Sequence, residues 1–175
     1  MVPEQPERQA GHGLPNKGMI SGTTALVALL GQPVSHSLSP VMQNAALKAM
    51  GLDWSFLALP CNANNLATVL KGLEAVGCRG LNVTIPHKQA VSLLCDELSP
   101  LAQRLGAVNT MIPLPSGGCH GHNTDVEGFL APLLHNNGDW NGTRTVVLGC
   151  GGSARAVVAG LQDLNPSEIT IVGRR

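Results

Sequence analysis

The sequence predicts an α/β protein built on a parallel sheet. From Thr23 onward, short runs rich in strand-forming residues alternate with longer runs of helical apolar spacing, a pattern typical of βαβ units. The composition agrees, because 43% of the 175 residues are hydrophobic, only 13% are charged and 2% are aromatic. Such a chain packs its core with aliphatic side chains.

The first three predicted elements are strand, helix and strand. "TALVALLG" (24–31) is predicted to be a buried strand. The helix is predicted over 39–51, with Ser39 as its N-cap and Pro40 at its first helical position. "DWSFLALPC" (53–61) is the second predicted strand.

The middle of the chain continues the alternation. A helix over 64–78 places one apolar stripe on a single face, consisting of Leu66, Val69, Leu70, Leu73 and Val76. "GLNVTIP" (80–86) is a third strand, and 87–98 is a third helix. From 102 to 125 we expect a polar turn and two short strands joined by "PSGG".

A second unit follows a helix predicted over 126–138. It contains a strand at Thr145–Leu148, a glycine turn, a helix and a strand at Glu168–Val172. The polar stretch 136–142 is the predicted boundary between the units. Because one edge of this small sheet stays open, we expect the second unit to be truncated.

Charge and cysteine content exclude several classes of function. Eleven basic and eleven acidic residues cancel, so we expect no nucleic-acid partner and no anionic membrane surface. The apolar stretches are too short to span a bilayer, and residues 1–22 are predicted to be a disordered leader without a signal-peptide core. We therefore expect a cytoplasmic protein. An odd number of scattered cysteines favours free thiols: Cys61, Cys78, Cys95, Cys119 and Cys150.

The stretch "GCGGSARA" (149–156) predicts a nucleotide site. Gly149, Gly151 and Gly152 lie where a strand turns into a helix, so the backbone can approach a pyrophosphate at the helix N-terminus. Ala154 takes the place of the third glycine and is small enough for close packing. We expect the start of a Rossmann-type dinucleotide-binding domain, and the alternative is an ordinary strand-to-helix loop.

The end of the second strand in this unit indicates which dinucleotide binds. An acidic residue there favours NAD, whereas an arginine accommodates the 2′-phosphate of NADP. Arg174 and Arg175 occupy this position, so we expect NADP(H). The alternative is two solvated arginines at a strand end.

Polar side chains gather at three strand ends of the first unit. They offer hydroxyl, amide, ammonium and carboxylate groups, from Ser37, Ser39, Thr84, Asn82, Asn109, Lys88 and Asp125. Ligands of open α/β sheets bind outside the carboxyl ends of strands, so these groups are expected to converge. The mixture suits a small polyhydroxylated acid. Taken alone, Lys88 would be a surface lysine and Ser39 a helix cap.

The histidines and cysteines are predicted to play no catalytic part. In a strand, His120 and His122 share a face and Cys119 faces away, so two ligands lack partners and no metal is expected. His36 and His87 are expected to lie behind the site or to face solvent. A packing role is expected for Cys150.

In order, the segments "SHSLSP", "NVTIPHK", "GAVNT", "GHNTDVEGF" and "GCGGSARA" resemble the shikimate dehydrogenase family, from about Ala25 to the last residue. The resemblance implies that Ser37 and Ser39 hold the substrate carboxylate, that Thr84 contacts a ring hydroxyl and that Asn109 binds substrate. It implies that Lys88 and Asp125 are the catalytic pair. Gly149, Gly151, Gly152, Ser153, Ala154, Arg174 and Arg175 would bind NADP(H).

The implied reaction is the NADPH-dependent, reversible reduction of 3-dehydroshikimate to shikimate, on the pathway to chorismate and aromatic amino acids. Residues 23–136 would be the shikimate-binding domain and 142–175 part of the NADP domain. The family's cofactor domain continues further and supplies a tyrosine, whereas this chain contains none. Two other interpretations stay open: a non-catalytic shikimate-binding fragment, and a quinate/shikimate enzyme using NAD. Members of the family are commonly monomers or dimers, so a homodimer is compatible.

Overall fold

The fold is a mixed α/β arrangement with two sheets. The computed structural model describes residues 20–135 and 138–173. A six-stranded sheet precedes a two-stranded sheet, which confirms the predicted α/β class. The predicted leader lies outside the described residues up to residue 19, and so do positions 136 and 137 of the predicted boundary.

The larger sheet has the strand order β2-β1-β3-β5-β6-β4. Its strands are β1 (Ala25–Gly31), β2 (Trp54–Pro60), β3 (Leu81–Val83), β4 (Glu97–Leu98), β5 (Thr110–Pro113) and β6 (Cys119–His122). Three neighbouring pairs are parallel, and β5 runs antiparallel to both β3 and β6. The sheet is therefore dominated by parallel pairs, with the predicted β5–β6 hairpin inserted.

Helices connect the strands, and the first two occupy the predicted segments. The helices are α1 (Ser39–Ala49), α2 (Leu66–Ala75), α3 (Lys88–Ser92), α4 (Pro100–Leu105), α5 (Asp125–His135) and α6 (Gly152–Asp163). No helix in the described part of the chain has the length and apolar character needed to cross a membrane.

The smaller sheet pairs β7 (Arg144–Leu148) with β8 (Glu168–Val172) in parallel. Helix α6 connects them, as the strand, glycine turn, helix and strand of the sequence predicted. Ala156 and Ala159 on its inner face form one buried cluster with residues of the first unit. Those residues are Leu105, Ala107 and Val126. The second unit therefore packs on α4 and α5 through its single helix.

The main core lies where the six-stranded sheet packs against α2, α3 and α4. Leu30, Val91 and Val108 are completely buried there. Leu66 and Leu73 of the predicted α2 stripe join this core, and Val69 and Leu70 pack against it. Val76 was wrongly included in the stripe: it is 72% exposed, because α2 ends at Ala75 and the chain leaves the helical periodicity.

The segment 87–105 differs most from the prediction. The expected third helix covers only Lys88–Ser92, and β4 follows it. Helix α4 replaces the expected polar turn: the Ser99 hydroxyl accepts a hydrogen bond from the Ala102 amide at 3.2 Å, and Pro100 begins the helix. Helices this short bury little apolar surface, so their spacing patterns are weak.

The start of α1 also corrects a prediction. Ser39 is the first helical residue rather than the N-cap, and Leu38 holds the cap position without a side-chain hydrogen bond. The Ser37 hydroxyl accepts a hydrogen bond from the Ser39 amide at 3.2 Å. Ser37 thus satisfies an N-terminal amide that a capping side chain normally satisfies.

Candidate active site

Lys88 and Asp125 form an ion pair between two helix starts. Lys88 is the first residue of α3, and Asp125 is the first residue of α5. The Lys88 Nζ lies 2.6 Å from the Asp125 Oδ2, and the two side chains are 14% and 23% exposed. This pair is therefore short, shielded on most sides and still open to a small ligand.

The two residues that precede β5 bring these helix starts together. The Asn109 carbonyl accepts a hydrogen bond from the Val83 amide at 2.8 Å, and the Asn109 amide donates to the His122 carbonyl at 3.0 Å. The Lys88 carbonyl accepts from the Val108 amide at 2.8 Å. Residues 108 and 109 consequently tie the end of β3 to the end of β6, where Lys88 and Asp125 follow.

Asn109 orients the Asp125 carboxylate. Its Nδ2 donates to the Asp125 Oδ1 at 2.8 Å and to the Thr124 Oγ1 at 3.0 Å. Its Oδ1 accepts from the Thr124 amide at 3.1 Å, and the Asn123 Oδ1 accepts from the Asp125 amide at 2.9 Å. Because one carboxylate oxygen faces Asn109 and the other faces Lys88, the carboxylate has a fixed orientation.

The remaining first-unit residues lie at neighbouring strand ends. Thr84 follows β3, and its amide donates to the Leu30 carbonyl of β1 at 2.8 Å. Ser37 and Ser39 come after β1, around the start of α1, and all three side chains are partly exposed. The structure joins Lys88, Asp125 and Asn109 by direct hydrogen bonds, and it places these three hydroxyls at the ends of β1 and β3.

The glycine turn after β7 leaves a helix N-terminus open. Gly149 has φ +120°, a backbone conformation that favours glycine. Gly151 is the N-cap of α6, and as a glycine it has no side chain that could accept hydrogen bonds from the first amides of the helix. The first amides of α6 are thus available to an anionic group, and the half-buried Ala154 fits close packing. These residues fit the pyrophosphate of a dinucleotide.

Two predicted cofactor residues lie outside the described residues, namely Arg174 and Arg175. Gly173, just before them, lies against the Cys150 thiol. Cys150 itself is exposed, so the predicted packing role was wrong. The reason is its position in the turn, which belongs to neither the buried face of β7 nor that of α6.

The second unit also touches the ion pair. The Lys88 Nζ donates to the Ser153 Oγ at 3.4 Å, and a Cβ built on Gly152 would lie 3.3 Å from the Lys88 Cβ. Nearby, the Arg155 Nη1 donates to the Leu105 carbonyl at 3.0 Å. Gly152, Ser153 and Arg155 all lie within "GCGGSARA", but the local pattern of that stretch carries no signal for contacts with Lys88 and Leu105, which are distant along the chain.

The histidines differ from one another in their surroundings. His120 and His122 share a face of β6, as predicted, with ring centroids 4.2 Å apart. Within 20–135 and 138–173, no three His, Cys, Asp or Glu side chains converge as a metal site requires.

His87 does not face solvent: it is 1% exposed, and its Nε2 lies 2.6 Å from the Cys61 carbonyl oxygen. This contact anchors the residue that precedes Lys88.

Burial suppresses ionisation of several thiols. Desolvation raises the pKa of Cys61 and that of Cys78, where a backbone hydrogen bond to Gly80 opposes it. Desolvation, followed by the neighbouring Cys119 and Asp96, raises the pKa of Cys95 to about 12. These groups are poor nucleophiles at neutral pH and belong to the core.

A cavity of about 620 Å³ opens at the opposite end of β3 from Lys88. Apolar side chains of α2 and the sheet line it, including Leu70, Leu73, Leu81 and Met111, and Lys71 and Arg79 border it. None of the residues predicted to bind substrate or cofactor lines this cavity.

Comparison with known proteins gives a consistent family. Residues 29–111 match the family described as the shikimate dehydrogenase substrate binding domain. Shikimate dehydrogenase (NADP(+)) of Synechocystis is 52% identical over 155 residues, which are 89% of this chain and 53% of the relative. The counterpart from Prochlorococcus marinus MIT 9215 is 49% identical over 156 residues, or 89% of this chain and 54% of the relative.

The fold points the same way. Crystalline shikimate dehydrogenase from Aquifex aeolicus superposes with a TM-score of 0.84 at 36% identity, covering 90% of this chain and 58% of that one. This chain spans about half the length of the curated relatives it matches. The matched residues and the shared fold show that the chain belongs to the shikimate dehydrogenase family.

Proposed function

We propose that this chain carries the substrate-binding domain and the first part of the cofactor domain of an NADP-dependent shikimate dehydrogenase. The reaction is the reversible reduction of 3-dehydroshikimate to shikimate, on the route to chorismate and the aromatic amino acids. The observation that carries the proposal is the Lys88–Asp125–Asn109 network beside the glycine turn. The substrate domain is residues 23–136, and the partial cofactor domain is residues 142–175.

The substrate would occupy the ends of β1, β3 and β5. Ser37 and Ser39 hold its carboxylate in this proposal, Thr84 contacts a ring hydroxyl, and Asn109 also binds the substrate. The side chains of Ser37, Ser39 and Thr84 are partly exposed, which supports the assignment because a ligand can reach their hydroxyls. Because the chain has no net charge and few charged residues, local hydrogen-bond donors such as these hydroxyls must recognise the substrate carboxylate.

Lys88 donates the proton that the reacting carbonyl oxygen receives in the proposed reduction. Its ammonium has three N–H groups, of which Asp125 and Ser153 engage two, so one remains for a ligand oxygen. Asp125 holds the ammonium by its Oδ2 and is itself fixed by Asn109. A fixed donor at a developing alkoxide is an effective form of acid–base catalysis.

The second unit would hold NADP(H). Gly149, Gly151, Gly152, Ser153 and Ala154 form the turn that receives the pyrophosphate, which the open N-terminus of α6 supports. Arg174 and Arg175 receive the 2′-phosphate in this proposal. The bound cofactor supplies the hydride. In Thermus thermophilus, a shikimate dehydrogenase 38% identical to this chain was crystallised with NADP(H) and shikimate (TM-score 0.77, covering 86% of this chain and 56% of that one).

The test is initial-rate kinetics with shikimate or quinate, each with NADP+ or NAD+. We expect NADP+ reduction by shikimate to have the highest kcat/KM. Higher kcat/KM with quinate and NAD+ would favour the alternative enzyme. Saturable shikimate binding without turnover by any combination would favour a non-catalytic fragment.

A further inference from the structure

The Lys88 ammonium has a second protein partner besides Asp125. The Ser153 Oγ accepts a hydrogen bond from the Lys88 Nζ at 3.4 Å, compared with 2.6 Å for the Asp125 Oδ2. The two partners come from different units, because Asp125 begins α5 and Ser153 lies in the first turn of α6. Lys88 therefore joins the substrate side of the site to the cofactor side.

The electrostatics of α6 make this hydroxyl significant. A helix N-terminus exposes N–H groups that carry partial positive charge, which repels a nearby ammonium. The side chain of Ser153 contributes an acceptor oxygen at this end of α6. An alanine at the same position would leave Lys88 facing the helix end without that acceptor.

The backbone of α6 also comes close to the Lys88 side chain at Gly152, the residue before Ser153. A Cβ built on Gly152 would lie 3.3 Å from the Lys88 Cβ and 3.6 Å from its Cδ. The absence of a side chain at 152 thus lets the first turn of α6 rest on the aliphatic stem of Lys88. The close approach at Gly152 and the hydrogen bond at Ser153 thus involve the same lysine side chain.

We propose that Ser153 is a positioning residue for Lys88, and that this role is additional to any contact that it makes with the cofactor. Asp125 and Ser153 hold two N–H groups of the ammonium, and the third is thereby directed toward the reacting oxygen. The inference rests on the proposed function for its catalytic consequence. The contact itself does not depend on that function.

The first test is steady-state NADP+ reduction by shikimate, comparing Ser153→Ala with Ser153→Thr, which keeps the hydroxyl. Loss of one hydrogen bond to a partly exposed charge should lower kcat about fivefold. The KM for shikimate should stay within about twofold, because the ion pair with Asp125 persists. The KM for NADP+ should also stay within about twofold, because the backbone amides at the start of α6, which the substitution keeps, receive the pyrophosphate. Ser153→Thr should restore most of the turnover. Ser167→Ala, a serine of the same unit at the far end of α6, is the matched control.

A raised KM for NADP+ with unchanged kcat would overturn the proposal, because Ser153 would then serve the cofactor alone. Unchanged kinetics in Ser153→Ala would also overturn it. Equal losses in Ser153→Ala and Ser153→Thr would indicate shape rather than the hydroxyl and would count against it.

A second test needs no turnover. The ¹H–¹⁵N signal of the Lys88 ammonium is observable when its protons exchange slowly with water. Ser153→Ala should speed that exchange about threefold or more, as expected for a lost hydrogen bond, and Ser153→Thr should not. Equal exchange in wild type and Ser153→Ala would reject the contact. A wild-type chain with no shikimate turnover but the expected exchange difference would reject the proposed function and leave the positioning contact standing.

Discussion

The two sheets bury very different amounts of their apolar side chains. In β1, Ala28 and Leu30 are completely buried and Leu29 is 6% exposed. In the second sheet, Leu148 is 82% exposed and Val146 65%, and among the residues of β7 and β8 only Val147 is buried. Among the described residues, the first unit thus has a core of its own, and the buried contacts of the second unit with it are made by α6.

This difference matches the division of the site. The Lys88–Asp125–Asn109 network stands on the well-packed unit, at the ends of β3, β5 and β6. The second unit supplies a glycine turn and one hydroxyl. We infer that the core preorganises the side of the site to which the proposal assigns the substrate, because it holds Lys88, Asp125 and Asn109 within hydrogen-bonding distance of one another.

The largest effect is expected at Lys88. In the proposed reaction Lys88→Ala removes the proton donor, so turnover should fall by about 10²–10⁴-fold. The KM for shikimate should change much less. Initial rates with saturating shikimate and NADP+ measure this, and Lys71→Ala, an exposed lysine of α2, is the control. Equal turnover in Lys88→Ala and wild type would remove Lys88 from the chemistry.

The difference in packing predicts unequal stability effects of one substitution. Leu30→Ala should lower the free energy of unfolding by about 2–5 kcal/mol, because it leaves a cavity in the core. Leu148→Ala should change it by no more than about 0.5 kcal/mol, since that side chain is mostly exposed. Urea denaturation followed by circular dichroism measures both. Similar losses for the two variants would mean that Leu148 is covered in solution.

Thiol labelling sharpens the same comparison. Burial disfavours the thiolate and raises the pKa of Cys95 to about 12, so this thiol stays protonated at pH 8. Cys150 is exposed in the glycine turn. Iodoacetamide at pH 8 should therefore alkylate Cys150 at least about tenfold faster than Cys95 or Cys78. Peptide mass spectrometry gives the rates, and urea should abolish the difference. Fast labelling of Cys95 without urea would show that the core of the first unit opens readily.

The smallest effects are expected at the histidines of β6. His120→Ala and His122→Ala should each leave turnover within about twofold, because the hydrogen bonds of Lys88 and Asp125 go to other residues and substitutions of partly exposed side chains are usually mild. Asp125→Asn, three residues beyond His122, should cost far more turnover because it removes the charge that holds Lys88. A chelator should have no effect. Loss of activity on chelation, or in either histidine variant, would revive a metal role for this stretch.

Local patterns in the sequence predicted much of the fold. The apolar run of β1 and the spacing of Leu66 and Leu73 report burial directly, because each pattern repeats with the period of its element. Helix α4 was missed although Ser99, Pro100 and Gly106 mark both its ends, because six residues give too short a period. Chemical type and family resemblance, rather than periodicity, pointed to Lys88 and Asp125.

Contacts distant along the chain were not predictable in this way. Ser153 meets Lys88 across 65 positions, and its residue type fits a cofactor turn equally well. For His87 the sequence left two positions open, behind the site or facing solvent, and the hydrogen bond to the Cys61 carbonyl in the interior decides for the first. Cys150 looks apolar, yet the turn exposes it. In each case the surroundings are set by another segment.

The most direct test of a preorganised substrate side is titration of shikimate into the ¹⁵N-labelled chain without cofactor. We predict saturable amide shift changes at Thr84, Lys88, Asn109 and Asp125, with β7 and β8 unaffected. Absence of saturable changes, or changes confined to the cavity around Lys71 and Met111, would contradict the account.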